Sequence, residues 1–449
     1  MNIQEWRGKM SLQWAKLGLV TIITVLLTNA GSGARAWSAP ASASQPAGTS
    51  TVSLQQILEY ADKNAPALRV GKVRLGKGRA AMTGASTLLP DNPVISVSAG
   101  PRFNGQGTTY DLDIGLEQTF EVAGERGLRM AAAKKFSSRL AAQFNETKWA
   151  VHRRVHRAFR MAQVARERLA MARRLLGFSK QLLSIGKRRE AAGAISGLEV
   201  QVLNGEVAQS RQTELAFANA YRAARLTLAE VSGWPANHPP IPSEWQPVLR
   251  EAPTVAQLLK LAQASHPAVA TQLAAVAEAQ ANADLAEGEG APKPSVGVSY
   301  AREGEAGGAA INVILGTLSM PIPIWQRNQG ERARARSEVA VARAEYDALQ
   351  RTFRIRLLRA HAAVSAALKQ IAAYDKEVIP SFDRSLKMLE RAFEAGKIGA
   401  LEVMVARGRF LEIRSQSFNA YDGYYKALAT LESVVGTDVF PNDAARSSK

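Results

Sequence analysis

The chain has 449 residues, a formal net charge of +18 at pH 7 and no cysteine. The lack of cysteine excludes disulfides, thiolate metal sites, cysteine nucleophiles and lipid attachment through an N-terminal cysteine. A net positive charge of this size raises the question of nucleic-acid binding. The charges are spread along helical faces, however, without a stacking platform of aromatic residues or a known binding module, so no nucleic-acid partner is predicted.

The N-terminal part has the pattern of an export signal. A basic start precedes an apolar run over 17–27, and small residues follow. We expect a signal peptide over 1–36, cleaved after Ala36, with a site near Ala43 as the alternative, and a flexible segment over 37–51. A short membrane anchor is the other interpretation, although the run is too short to span a bilayer comfortably.

The rest of the chain contains two copies of one sequence pattern. Four landmarks recur in the same order with an offset of 201 to 203 residues: Pro66 and Pro267, Pro93 and Pro294, Gly193 and Gly396, Gly233 and Gly436. This regularity predicts a tandem duplication. We place the first repeat at 52–234, an inter-repeat linker in the equatorial region at 235–253, the second repeat at 254–436 and a C-terminal tail at 437–449.

Each repeat begins with a helix that a proline interrupts. Ser53 and Thr254 are the expected N-caps, and Pro66 and Pro267 follow about three turns later. Two strand-like segments come next around a glycine-rich turn. We predict strands at 94–103 and 109–120 in the first repeat, and at 295–300 and 309–322 in the second.

The second predicted strand alternates strictly between apolar and polar residues. One face would carry Leu112, Ile114 and Leu116, and the opposite face Asp111, Asp113 and Glu117. Such alternation is typical of a membrane barrel strand with lipid outside and water inside, which makes the three acids candidate lumen-facing residues. An ordinary hairpin on a soluble core gives the same pattern.

A very long helix follows the strands in each repeat. Apolar and small residues spaced alternately four and three apart predict a coiled-coil seam. A helix over 129–189 would be about 90 Å long. Gly177 and Pro380 occupy equivalent positions, and both disfavour a straight helix, so we expect a bend there.

Two histidines are the only pair with metal-ligand spacing. His152 and His156 lie four residues apart on one helical face, as in some zinc sites. Three arginines surround them and disfavour a cation, so no metal site is predicted. No catalytic triad, phosphate-binding loop or metal cluster appears either, and we therefore predict no enzymatic activity and no cofactor.

Two segments of the second repeat carry a family resemblance. Residues 321–330 read Pro-Ile-Pro-Ile-Trp-Gln-Arg-Asn-Gln-Gly, and 393–403 read Phe-Glu-Ala-Gly-Lys-Ile-Gly-Ala-Leu-Glu-Val. They resemble the TolC family of outer-membrane efflux factors, in particular its heavy-metal branch of cobalt-zinc-cadmium exporters. Phe393 replaces the usual tyrosine of the turn motif, and the first repeat lacks that aromatic residue.

The resemblance implies a mainly α fold with a β-barrel. Three protomers would close a twelve-stranded barrel in the outer membrane, continued by an α-helical tunnel in the periplasm. The implied partners are two further copies in a homotrimer, a periplasmic adaptor, an inner-membrane RND pump and outer-membrane lipid. The helix-to-helix turns would be the adaptor-docking tips, with Gly193, Ile195, Leu198, Gly396, Ile398 and Leu401 as candidates. The alternative is that the apolar side chains at the turns pack only within the hairpin.

Two glutamates lie just past these turns. Glu199 and Glu402 match acidic positions in the resembled family, and in a trimer they would form a ring of carboxylates at the narrow end, a candidate gate. The alternative is that both acids stabilise the N-termini of their helices.

The predicted function is therefore a passive efflux channel, with heavy-metal cations as the expected cargo. A periplasmic coiled-coil adaptor or scaffold without a barrel is the first alternative, and an exit duct for organic compounds is the second. The sequence identifies neither the metal nor the partner pump.

Overall fold

The computed structural model describes residues 51–104, 107–247, 249–305, 308–375 and 379–440. The predicted signal peptide, the flexible segment up to residue 50 and the last nine residues of the predicted tail lie outside this range. Among the described helices, none is both long enough and apolar enough to cross a membrane.

The first repeat consists of a broken helix, a strand pair and two long helices. A two-residue strand β1 (Thr51–Val52) precedes it. The elements are α1 (Leu54–Asn64), α2 (Pro66–Ala85), β2 (Val94–Asn104), β3 (Gly107–Thr119), α3 (Glu125–Ala191) and α4 (Gly197–Ser232).

The second repeat has the same order of elements after a short linker strand, β4 (Ile241–Pro242). Its elements are α5 (Val255–Ser265), α6 (Pro267–Gly288), β5 (Ser295–Glu303), β6 (Ile311–Ser319), α7 (Gln329–Ala373), α8 (Ile379–Glu394) and α9 (Ala400–Val435). The predicted order of helix, two strands, long helix and helix is thus confirmed in both repeats.

Local chemistry explains how each repeat begins. Ser53 and Thr254 both form capping boxes, in which the hydroxyl accepts a hydrogen bond from a backbone N–H three residues on and the glutamine there accepts one in return. Pro66 and Pro267 each occupy the first position of the following helix, where the missing N–H costs nothing. The helix breaks fall where the prolines predict them.

The glycines that end the two repeats pack against these breaks. Gly233 and Gly436 end α4 and α9 with φ of 75° and 84°, a left-handed conformation that favours glycine. A Cβ on Gly233 would lie 2.3 Å from the carbonyl oxygen of Asn64, and one on Gly436 would lie 2.8 Å from Cα of His266. The same tertiary contact, between the final glycine and the helix break, therefore occurs in both repeats, in addition to the same order of elements.

The four long strands form one antiparallel sheet in the order β2-β3-β5-β6. Ile114 lies between Val97 of β2 and Tyr300 of β5, and Tyr300 pairs in turn with Ile314 of β6. The sheet joins the two repeats through β3 and β5. Within the described residues, β2 and β6 each pair on one side only, so both edges of the sheet are open.

The long helix of the first repeat is longer than predicted. α3 has 67 residues, which corresponds to about 100 Å, and Gly177 lies inside it without interrupting it. In the second repeat α7 ends at Ala373 and α8 begins at Ile379, just before Pro380. The bend expected at Gly177 thus does not interrupt α3, whereas the residues just before Ile379 lie outside the described range.

Two apolar cores lie along the middle of α3, and a third lies near its C-terminal end. The first is formed with α1 and α4, and the second with α5, α7 and α9. Side chains of α3 belong to the first two cores: Val151, Val155 and Phe159 to the first, Val164, Met171 and Leu175 to the second. The length of α3 thus lets one helix hold the two repeats together.

Candidate functional site

The sheet has one polar and one apolar face, as the alternation in β3 predicts. Strand register places Asp111, Asp113 and Glu117 on the same face. Arg102 of β2 donates to Asp111 (Nε to Oδ2, 2.8 Å) and to Glu303 of β5 (Nη2 to Oε2, 2.9 Å). Charges of both signs therefore line this face, and sequence analysis missed Arg102 and Glu303.

The other two predicted acids differ from Asp111. Glu117 accepts a hydrogen bond from the hydroxyl of Ser319 on β6 (3.0 Å). No ion pair holds Asp113 or Glu117 within the described residues. On β6 the alternation weakens, because Val313 and Leu315 lie on the otherwise polar face. The acidic lining is consequently concentrated on the first repeat.

The opposite face of the sheet is apolar and uncovered over most of its length, and it carries Arg302 and Asn312 at the end near the strand turns. Its apolar side chains are all solvent-exposed in the single chain, and they come from all four strands: Ile95, Val97, Leu112, Ile114, Leu116, Val296, Val298, Tyr300, Ile314 and Leu318. A contiguous apolar surface of this kind marks a binding or membrane-contacting face. The arrangement matches a strand sheet with lipid on one side and water on the other.

The helix-to-helix turns have matching geometry in the two repeats. Gly193 and Gly396 have φ of 69° and 72°. At each turn, a backbone N–H just past the glycine bonds a carbonyl oxygen five residues earlier, Ala194 to Arg189 and Lys397 to Ala392, both at 2.8 Å. These are Schellman-type ends, which need a left-handed residue and so favour glycine.

The apolar residues predicted for docking separate into two groups. Leu198 and Leu401 are 74% and 69% exposed. Ile195 and Ile398 are only partly exposed, and Ile398 packs against the core that Phe393 and Leu182 form below the turns. The two leucines are therefore available to a partner, whereas the isoleucines help to hold the hairpins.

The predicted gate glutamates both act at helix N-termini. Glu199 accepts a hydrogen bond from the backbone N–H of Ser196 (3.1 Å), whose hydroxyl accepts one from the N–H of Glu199 (3.3 Å). Glu402 accepts from the N–H of Gly399 (2.9 Å). The capping alternative is thus directly visible in the single chain, and the gate role stays a prediction.

An arginine joins the two turns. Arg189, at the end of α3, donates from Nη1 to the carbonyl oxygen of Phe393 (2.8 Å), and its guanidinium lies over the ring of Phe393 at 5.1 Å. Phe393 occupies the position of the aromatic residue in the turn motif. The aromatic residue of the second turn thus contacts an arginine at the end of the long helix of the first repeat.

A buried polar cluster lies behind the turns. Arg407 of α9 forms an ion pair with Glu206 of α4, with side chains 6% and 8% exposed. Arg407 also donates to the hydroxyls of Ser210 and Ser179. A charge removed from water is stable only when paired in this way, so the cluster fixes α9 against α3 and α4.

Sequence analysis also missed a neighbour of the histidine pair. Asp438, two residues after the end of the second repeat, lies beside His152, with His152 Nε2 3.1 Å from its Oδ1. Burial, followed by the charge of Arg160, lowers the pKa of His156 to about 3. Burial alone would raise the pKa of Asp438, but the hydrogen bond and the charge of His152 outweigh it and lower that pKa. No local sequence signal links residues this far apart.

These features define the protomer of a membrane channel: two repeats of long helices, and one two-faced sheet with open edges. The family model described as "Outer membrane efflux protein" matches residues 57–234 and 258–437. The chain belongs to this family, the TolC family of outer-membrane channels. It is a non-enzymatic transport protein of the outer membrane with a periplasmic helical extension, and the adaptor alternative is excluded.

Curated relatives have different named roles. The chain is 26% identical over 352 residues to the cobalt-zinc-cadmium resistance protein CzcC of Cupriavidus metallidurans, covering 78% of this chain and 82% of that protein. It is 23% identical over 411 residues to the pyoverdine export outer membrane protein OpmQ of Pseudomonas putida, covering 85% of each.

Solved structures of the family have the same fold. A structure of the channel CusC superposes with a TM-score of 0.68 at 16% identity, covering 86% of this chain and 92% of that one. The Campylobacter jejuni CmeC outer membrane channel gives a TM-score of 0.69 at 14% identity, covering 88% and 89%. The fold class inferred from the sequence is confirmed, and in this family the barrel forms only in the trimer.

Proposed function

We propose that this chain is the outer-membrane channel of a tripartite RND-type efflux system, works as a homotrimer and conducts heavy-metal cations. The observation that carries the cargo assignment is the similarity to CzcC over most of both chains. The channel itself follows from the family, whereas the cargo, the trimer and the partners of this particular chain form the proposal.

The open sheet supports the trimer. A sheet edge in lipid leaves backbone N–H and C=O groups unpaired at several kcal/mol each, so a membrane sheet must close. Three copies of the four-stranded sheet would pair β6 of one protomer with β2 of the next and form a twelve-stranded barrel. The apolar face then contacts lipid, and the face with Asp111, Asp113 and Glu117 lines the lumen.

The turns support docking to a periplasmic adaptor. Leu198 and Leu401 project apolar surface beside two rigid glycine turns, and the two turns are held together by Arg189. Exposed leucines on a preorganised surface bind a partner at low entropic cost. We infer that Gly193 and Gly396 set the turn geometry and that the two leucines contact apolar adaptor side chains.

Negative charge along the proposed conducting path supports cations as the cargo. Asp113 and Glu117 leave negative charge on the inner face of the sheet, and Glu199 and Glu402 add carboxylates near the turns. Rings of such carboxylates favour cations over anions. The similarity to OpmQ, which is named for pyoverdine export, favours the second candidate, export of organic compounds.

Gene deletion separates the two cargoes. In the deletion strain we expect intracellular cobalt, zinc or cadmium to rise when the cells are challenged with that metal, as measured by elemental mass spectrometry, and to fall again on complementation. Metal contents equal to wild type for every cation, together with increased sensitivity to organic toxicants, would overturn the metal assignment and leave the channel intact.

A further inference from the structure

Three side chains that the channel function does not use meet where the two repeats join. His152 and His156 lie on one face of α3, and Asp438 follows the end of α9. Their candidate ligand atoms all lie within 4.8 Å of one another. The shortest separation, 3.1 Å, joins His152 Nε2 and Asp438 Oδ1. The cluster is partly exposed, so an ion can reach it from water.

These separations are close to those of ligands around one small cation. Zinc binds imidazole nitrogen at about 2.0–2.1 Å and carboxylate oxygen at about 2.0–2.2 Å, so its ligand atoms lie no more than about 4 Å apart. The candidate ligand atoms, which lie within 4.8 Å of one another, must therefore move to within about 4 Å of one another when the ion binds. Two imidazoles and one carboxylate suit zinc, nickel, copper or cobalt, whereas magnesium and calcium prefer oxygen ligands throughout.

The two segments that carry the ligand residues, α3 and the stretch after α9, are both packed against apolar cores. Val151 and Val155 of α3 are buried on either side of His152, and the ring of Trp149 stacks on His152 at 5.2 Å. Val439, the residue after Asp438, is buried in the core of the second repeat. The ligand atoms are therefore held close together before any ion binds, which lowers the cost of ordering them.

Two of the neighbouring arginines, Arg153 and Arg160, have other contacts. Arg160 donates to Oε1 of Gln163 (3.2 Å) and lies over the ring of Tyr425, and the guanidinium of Arg153 lies 6.0 Å from the ring of Trp149. A second carboxylate, Glu432, is 3.8 Å from Nδ1 of His156. The positive surroundings that the sequence suggests are thus offset locally by two carboxylates.

We propose that His152, His156 and Asp438 form a binding site for a first-row transition-metal dication such as Zn²⁺, with Glu432 or water as the fourth ligand. The ion would tie the end of the second repeat to the long helix of the first. Asp438 lies 286 residues after His152 in the sequence, so the metal would cross-link distant parts of the chain.

Zinc titration of the full chain, purified in detergent and stripped of metal, tests the proposal. We expect one zinc per chain by calorimetry, visible bands of low-symmetry coordination when Co²⁺ replaces zinc, and a higher melting temperature with zinc, because binding to the folded state stabilises it. Mg²⁺ should produce none of these effects. His152→Ala and Asp438→Asn should each weaken zinc binding by more than about tenfold.

His238→Ala is the matched control, because His238 is exposed and isolated from the cluster. It should bind zinc like wild type. Asp438→Asn keeps the size of the side chain and its contact with His152, so it decides the question if His152→Ala fails to fold. The proposal is wrong if wild type binds no zinc, or if Asp438→Asn binds it as tightly as wild type. Since the assay uses purified protein, its result is independent of the transported cargo.

Discussion

At the scale of single residues, the exposed leucines of the turns give the most direct test of docking. Replacing Leu198 and Leu401 by aspartate puts two charges on the proposed apolar contact surface. We expect the double variant to lose co-purification with its adaptor and to give the export phenotype of the deletion strain, because a buried unpaired charge is costly at an interface. Trimer assembly, followed on non-denaturing gels, should be unchanged, since both side chains are exposed.

The matched control keeps the apolar surface. Leu198→Met with Leu401→Met should retain adaptor binding and export. Adaptor binding by the aspartate variant at wild-type level would show that the leucines are not part of the contact.

The glutamates of the turns have two separable roles. Glutamine at Glu199 and Glu402 keeps an oxygen that accepts the N-cap hydrogen bond but removes the charge. We expect Glu199→Gln with Glu402→Gln to leave the melting temperature within a few degrees of wild type and to reduce the cation preference of the pore in planar bilayers.

Alanine at the same two positions separates charge from capping. It should lower both cation preference and stability, the latter by about 1 kcal/mol per lost cap. Unchanged selectivity in the glutamine variant would assign these residues to helix capping alone.

At the scale of elements, the ion pair between α4 and α9 is a buried polar link between the repeats. Glu206→Ala leaves the guanidinium of Arg407 buried without its carboxylate. We expect a loss of about 3–5 kcal/mol in the free energy of unfolding, measured by thermal or chemical denaturation in detergent. Replacing both members by apolar residues of similar volume, Glu206→Leu with Arg407→Met, should recover most of this loss.

An exposed pair on the same helix serves as the control. Glu412 contacts Arg409 on the surface of α9, and Glu412→Ala should change the free energy of unfolding by no more than about 0.5 kcal/mol. Equal effects of Glu206→Ala and Glu412→Ala would mean that burial does not strengthen the link.

The sequence predicted the elements well because their signals are local. Prolines at the helix breaks, glycines at the turns and alternation in β3 each act within a few residues. The differences also have local causes. β6 ends at Ser319, short of the predicted 322, because Pro321 has no N–H for a ladder. α3 begins at Glu125 after Gly124, which has a left-handed conformation, rather than after a typical N-cap side chain.

The contacts between repeats escaped prediction for a physical reason. Glu206 and Arg407, or His152 and Asp438, meet only because α9 packs against α3 and α4, and no periodicity along the chain encodes that packing. Asp438 falls in the predicted C-terminal tail, yet it lies beside α3 and is followed by the buried Val439. Charged residues at distant positions become informative only when the packing of the helices is known.

At the scale of the whole molecule, the orientation of the sheet decides whether the chain forms a channel. Ile114 lies at the centre of the apolar face, with 44% of its surface exposed in the single chain. Ile114→Lys would place a charge against lipid, at a cost of about 2–4 kcal/mol per protomer near the bilayer midplane. We expect this variant to assemble poorly, with less heat-resistant trimer in the outer-membrane fraction.

Asp113 is the matched position, because it is the next residue in β3 and faces the other side of the sheet. Asp113→Lys puts the same ammonium group into the proposed aqueous lumen, where it stays hydrated. It should assemble like wild type, and the cation preference of the pore in planar-bilayer recordings should fall. If Asp113→Lys blocked assembly while Ile114→Lys inserted normally, the lipid and lumen faces would have to be exchanged. If neither variant differed from wild type, the sheet would not lie in the membrane wall.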